Sequence, residues 1–296
     1  MYNSCTLCPR NCQVNRTAGK TGFCGMPDTI HVARASLHMW EEPCISGTNG
    51  SGTVFFTGCN LKCVFCQNHI IAIGQKGKEI SVNKLVDLFM MLQDKGAHNI
   101  NLVTPSHYVP GIAKALSSAK EKGLVLPIVY NTGGYDSVET LSMLDGLVDI
   151  YLPDFKYVSA ALSKRYSHAA DYFDVASQSL AEMYRQVGNP VFQGDLLKKG
   201  IIVRHLLLPG CVEDSKAVIL YLYETYGNKI FISIMNQYTP LPHVAAYPEL
   251  NRKVTEAEYD EVVDYAVDLG VEQGFIQEGD TAEESFIPEF DFTGLI

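Results

Sequence analysis

No stretch of the 296-residue chain approaches about 18 consecutive apolar residues, so no segment reads as a membrane-crossing helix. The start, Met1-Tyr2-Asn3-Ser4-Cys5, lacks the pattern of a signal peptide. There is no internal repeat and no low-complexity tract, which sets repeat architectures aside. Positive charge is scarce: 23 Lys and Arg against 33 Asp and Glu give a net charge of −10. That balance argues against a general nucleic-acid or anionic-membrane surface, while leaving room for a local basic groove. Cysteine is nearly missing beyond residue 66. Of the 9 cysteines only Cys211 lies there, and the others fall in tight groups. A secreted disulfide scaffold would spread them evenly, so metal ligation in a reducing cytoplasm is expected. With 47% hydrophobic and 19% charged content, the chain has enough apolar residues for one large core with a small appendage.

The most informative run is Phe55-Phe56-Thr57-Gly58-Cys59-Asn60-Leu61-Lys62-Cys63-Val64-Phe65-Cys66. Cys59, Cys63 and Cys66 form C-x3-C-x2-C, with Phe65 just before the last cysteine. Three thiolates in a short loop match an iron–sulfur cluster that keeps one iron open to a ligand. A structural zinc knuckle is the plainer alternative, but it would want a fourth ligand and would not need the long chain that follows. The apolar Val54-Phe55-Phe56 reads as a buried strand. The loop therefore sits at a strand's C-terminal end, where ligands collect in α/β folds.

Beyond the loop, strand candidates are Ile100–Thr104, Ile128–Asn131, Val148–Leu152, Ile201–Leu208 and Lys229–Met235. Val82, Leu85, Val86, Phe89 and Leu92 recur at helical spacing before Gly96. Asp136 with Glu139, and Thr255 with Glu258, have the spacing of capping boxes. Together with Val54–Thr57 this gives six β/α units: an α/β fold with a parallel sheet, arranged as a partial (β/α)6 barrel. The polar stretch from Ser159 to Gly200 is expected to carry one or two helices over one end. Residues 1–45 are read as a cysteine-rich metal-binding segment and 46–296 as the barrel.

The opening segment holds Cys5, Cys8, Cys12 and Cys24 in C-x2-C-x3-C-x11-C spacing. Four thiolates complete a tetrahedral set, so zinc and an auxiliary 4Fe-4S cluster both fit. Cys44 is a spare for either site, and Cys211 reads as a free thiol.

Further polar residues fall at strand ends: Thr104 and His107 after the second strand, Asn131-Thr132-Gly133-Gly134 after the third, Asp154-Phe155-Lys156 after the fourth, and Asn236-Gln237 after the sixth. On the fifth strand Arg204 and His205 are adjacent, so only one points into the barrel. The planar fork of Arg204 suits a carboxylate, and His205 belongs to the outer packing.

From about residue 40 to 290 the chain resembles the radical SAM superfamily, and within it the glycyl-radical-activating enzymes related to the pyruvate formate-lyase activating enzyme. The resemblance rests on Cys59, Cys63 and Cys66, on Asn131-Thr132-Gly133-Gly134 in place of Asp-Thr-Asn-Gly, on Asp154-Phe155-Lys156 in place of Asp-Leu-Lys, and on Arg204 before Pro209-Gly210. The family's Gly-Gly-Glu after the second strand is Val103-Thr104-Pro105 here, which leaves the amino-group contact to Thr104, a backbone carbonyl or His107.

The resemblance implies a 4Fe-4S cluster whose open iron chelates S-adenosylmethionine (SAM), with Phe65, Thr104, Asn131, Thr132, Asp154, Lys156, Arg204, Asn236 and Gln237 around that cofactor. It implies reductive cleavage of SAM to a 5′-deoxyadenosyl radical, with flavodoxin or ferredoxin as electron donor, in an anaerobic, cytoplasmic oxidoreductase. The radical would abstract hydrogen from a glycine of a partner glycyl radical enzyme. The alternatives are radical SAM modification of a small molecule, peptide or nucleic-acid component, and a non-catalytic metal-binding or electron-transfer protein.

Overall fold

The computed structural model describes residues 1–277 and 288–295. Phe286 and Ile287, the start of an aromatic run expected to pack over the barrel, lie outside them. Among the described residues ten strands build the sheet: β1 (Ile30–His38), β2 (Ser51–Phe56), β3 (Lys78–Ile80), β4 (Ile100–Val103), β5 (Ile128–Thr132), β6 (Ile150–Pro153), β7 (Val191–Gln193), β8 (Leu196–Leu206), β9 (Phe231–Met235) and β10 (Gly274–Ile276). Their spatial order is β10-β9-β8-β6-β5-β4-β2-β1-β3, with β7 attached to β8. From β2 to β10 every step along that path is parallel. The six expected strands are therefore present, joined by a seventh, the short β10. All six residues of β2 and all five of β5 are buried, as in a parallel sheet covered on both faces.

Helix Val82–Asp94 shows how the covering layer forms. Ser81 caps it by accepting from the Lys84 amide, and Leu85, Val86, Leu88, Phe89 and Leu92 are its buried face. Burying each such side chain contributes on the order of 1.5–3 kcal/mol. Thr255 and Glu258 do form a capping box for helix Glu256–Leu269. Asp136 does not cap its helix: Ser137 caps Val138–Leu141, and Asp136 is buried, accepting from Tyr130 Oη and Thr132 Oγ1 at 3.0 and 2.6 Å. The two residues compete for the same role, and the shorter hydroxyl reaches the helix amide while the carboxylate turns inward. The stretch after Ser159 forms helices Ala160–Ser167 and Tyr172–Val187, then the β7–β8 hairpin.

Residues 1–45 do not stand apart from the sheet. Strand β1 pairs antiparallel with β2 and β3, extending the barrel wall beyond its parallel strands. The chain then turns inward. In the short helix Pro43–Ser46, Cys44 and Ile45 join Val129, Ile150, Leu152, Leu197 and Ile202 in an apolar plug. Because side chains alternate along a strand, Asn131, Asp154 and Arg204 share the interior face with Val129, Leu152 and Ile202, and lie nearer the C-terminal ends. The plug thus floors a polar layer.

Candidate active site

The loop that leaves β2 is anchored at many points. The Thr57 amide donates to His31 O at 2.9 Å, and the Gly58 amide to Ile71 O at 2.8 Å. Gly58 has φ of +90°, and a Cβ there would press on Met26 and lie 3.0 Å from Cys24 O. Asn60 Nδ2 donates to Tyr135 O at 2.6 Å, Arg10 Nε to Asn60 O at 2.8 Å, and the Val64 amide to Tyr166 O at 2.8 Å. Two donors address sulfur directly: the Leu61 amide to Cys59 Sγ at 3.3 Å, and Ser167 Oγ to Cys63 Sγ at 3.0 Å. Burial pushes the Cys63 and Cys66 thiols up, so metal binding at neutral pH displaces protons from them.

Cys59, Cys63 and Cys66 line one cavity together with Phe65, Thr104, Asn131, Thr132, Asp154, Lys156, Arg204 and Gln237. Of the proposed cofactor residues only Asn236 is not brought to this cavity; its amide donates to Gln277 Oε1 at 2.7 Å. His107 is also elsewhere, buried with Nε2 2.8 Å from Thr57 O. His205 faces the outer layer, its ring nitrogens 2.8 Å from Phe155 O and from Ser215 Oγ. Cys44 sits in the plug, away from both cysteine groups. Cys211 is half-buried, its thiol pushed up to about 11 by burial. Among the remaining histidines, His69 and His243 stack with centroids 4.1 Å apart, and His38 lines the cavity.

The interior charges form one network. Arg204 directs Nε to Asp154 Oδ1 at 3.2 Å, Nη1 to Glu41 Oε2 at 3.1 Å and Nη2 to Asn131 Oδ1 at 2.6 Å. Lys156 Nζ lies 2.6 Å from Asp154 Oδ2. Glu41 Oε1 also accepts from Asn101 Nδ2 at 2.8 Å. Burial pushes the Glu41 carboxyl up, and the Arg204 guanidinium pulls against it. Asp154 is held below the usual carboxylate range: Lys156 and Arg204 outweigh the opposing effect of burial. The fork of Arg204 is thus occupied within the protein, whereas Lys156 has further N–H donors beside the cysteines.

Glu41 was not legible as a site residue. Glu41-Glu42-Pro43 precedes an apolar pair, and only the inward turn of the chain puts its carboxylate under the cavity. Thr104 carries a different signal: it has φ of +59° at the cavity wall, a conformation that costs a non-glycine residue about 1–2 kcal/mol.

Three thiols on one short loop that face a shared cavity are the donor set of an iron–sulfur cluster with one iron left open.

Residues 53–192 match the radical SAM superfamily. The chain is 28% identical over 276 residues to an uncharacterised protein of Methanocaldococcus jannaschii, covering 90% of this chain and 75% of that one. Three solved structures share the fold. SuiB of Streptococcus suis bound to precursor peptide SuiA aligns with TM-score 0.52 at 14% identity, over 75% of this chain and 46% of that one. The hydrogenase maturase HydG of Carboxydothermus hydrogenoformans aligns with TM-score 0.52 at 12% identity, over 79% and 56%. Methylornithine synthase PylB aligns with TM-score 0.52 at 13% identity, over 74% and 60%. The alignments thus span about half the length of these structures. The family that residues 53–192 match is one that implies a 4Fe-4S cluster and SAM.

Proposed function

We propose that this radical SAM enzyme activates a partner protein by abstracting hydrogen from one of its glycines. The observation that carries the reading is the shared cavity, in which three cluster-type thiols face the Lys156–Asp154–Arg204–Glu41 network. When bound, the cluster and SAM supply a 5′-deoxyadenosyl radical through one-electron reductive cleavage, with flavodoxin or ferredoxin as the donor. Cys59, Cys63 and Cys66 would hold three of the irons. Lys156, with donors left over from Asp154, takes the cofactor carboxylate. Arg204 acts as a positioning residue: it fixes Asn131 and Asp154 at their strand ends. The Thr104 hydroxyl and nearby carbonyls receive the cofactor amino group, and the Gln237 amide reads the adenine edge. Phe65, its ring 5.8 Å from Lys156 Nζ, walls the site.

A polypeptide substrate suits the mouth of the cavity. Trp40 is 63% exposed there, and its neighbour Met39 is 46% exposed. A peptide is also what SuiB holds in its complex with SuiA. The experiment supplies anaerobically reconstituted enzyme, dithionite and SAM with extract from cells grown on deuterated glycine, divided by size. Deuterium appearing in 5′-deoxyadenosine from the macromolecular fraction is the expected result. Label from the low-molecular-weight fraction alone would favour a small-molecule substrate. No 5′-deoxyadenosine at all would remove the enzyme reading. Replacing Cys59, Cys63 and Cys66 together by Ala is expected to abolish the SAM-dependent change in the cluster spectrum.

A further inference from the structure

Arg16 is 1% exposed, yet among the described residues it forms no salt bridge. Its Nη1 donates to His107 O at 2.8 Å and lies 3.8 Å from Cys5 Sγ; Nε donates to Pro27 O at 3.1 Å, and Nη2 donates to the same oxygen. Above it lies the Tyr2 ring, 4.8 Å away. A guanidinium cannot shed its proton, and carbonyl oxygens do not neutralise it, so burying it this way is costly unless negative charge is near. Around it the groups able to carry that charge are the cysteines and Asp28, and Asp28 forms no salt bridge with it. Cys5, Cys8 and Cys24 are buried and Cys12 is half-buried. The hydroxyls of Tyr2 and Tyr108, buried without a protein partner, belong to the same shell.

We propose that Cys5, Cys8, Cys12 and Cys24 hold a second, closed 4Fe-4S cluster, with Arg16 as its buried counter-cation. Four thiolates around such a cluster carry net negative charge, which is what the Arg16 pocket lacks. The loop is shaped for sulfur: the Phe23 amide donates to Cys12 Sγ at 3.3 Å, and a Cβ on Gly22 would stand 2.7 Å from that same sulfur. The two cysteine groups are joined in space: Arg10, 3.9 Å from the Phe23 ring centroid, donates to Ser167 O at 3.0 Å, and Ser167 Oγ donates to Cys63 Sγ.

The test removes Cys59, Cys63 and Cys66 together and reconstitutes the full chain anaerobically. About four irons and four sulfides per chain are expected to remain, with a reduced-state EPR signal that SAM does not move. About one zinc per chain without iron, or neither metal, would overturn the proposal. If that variant does not fold, the wild type decides. Two EPR signals, only one of them shifted by SAM, support the second cluster; a single signal refutes it. Arg16→Lys keeps the charge and is expected to retain iron, whereas Arg16→Met is expected to lose most iron from this site or lower its reduction potential. Equal iron and equal potential in the two variants would remove the counter-cation role.

Discussion

Replacing Glu41 by Ala tests whether the inward turn of the chain builds the polar layer under the cavity. In the folded protein Glu41 accepts from Arg204 at 3.1 Å and from Asn101 at 2.8 Å, and its side chain is 7% exposed. Removing it leaves Arg204 Nη1 and Asn101 Nδ2 facing a cavity with no acceptor. Breaking a buried pair in this way costs about 3–5 kcal/mol. Asp154 stays beside Arg204 and offsets part of the charge, so the lower end is expected. For a chain of this size about 1 kcal/mol moves Tm by roughly 2 °C, giving a loss of about 6 °C. Thermal unfolding followed by circular dichroism under anaerobic conditions reads this directly. The double variant Glu41→Ala, Arg204→Met is expected to lose less than the sum of the two single losses, because it leaves no uncompensated guanidinium. A Tm within about 1 °C of wild type for Glu41→Ala, or strict additivity in the double variant, would refute the argument.

The remaining tests address single residues. His205 is buried and neutral, its pKa lowered from 6.5 to about 4 chiefly by burial. The unfolded chain therefore binds the proton more readily, and stability is full above about pH 6.5 and falls as the pH drops toward 4. Denaturant titrations should show His205→Gln flattening that dependence while costing about 1–2 kcal/mol at pH 7, through poorer pairing of Phe155 O and Ser215 Oγ. An unchanged slope would mean that other groups set the acid limit. Thr104→Gly relieves a left-handed backbone and should raise stability by about 1 kcal/mol, while weakening SAM binding by calorimetry if the hydroxyl meets the cofactor. Lys156→Met should weaken SAM binding more than Arg204→Lys does; the reverse ranking would return the carboxylate contact to Arg204.

Much of the scaffold was written in local pattern. Apolar runs gave the six core strands because parallel strands buried on both faces need them, and the spacing of Leu85, Phe89 and Leu92 gave a helix because 3.6-residue periodicity puts them on one face. Strand alternation required that only one of Arg204 and His205 face the interior, and the chemistry of the guanidinium fork chose Arg204. The C-x3-C-x2-C loop named its chemistry because thiolate ligands must lie close together on a short chain. Partners drawn from distant segments were not legible. The inward turn that puts Glu41 beside Arg204, the choice of Ser137 over Asp136 as helix cap, and the displacement of Asn236 and His107 from the cavity all depend on which groups meet across the barrel. The same holds for Arg16, whose burial no local pattern marks. Short-range spacing determines which elements form and where thiolates can share a cluster. Burial determines which charge faces which, because only the closed tertiary structure removes the water that would otherwise satisfy each group alone.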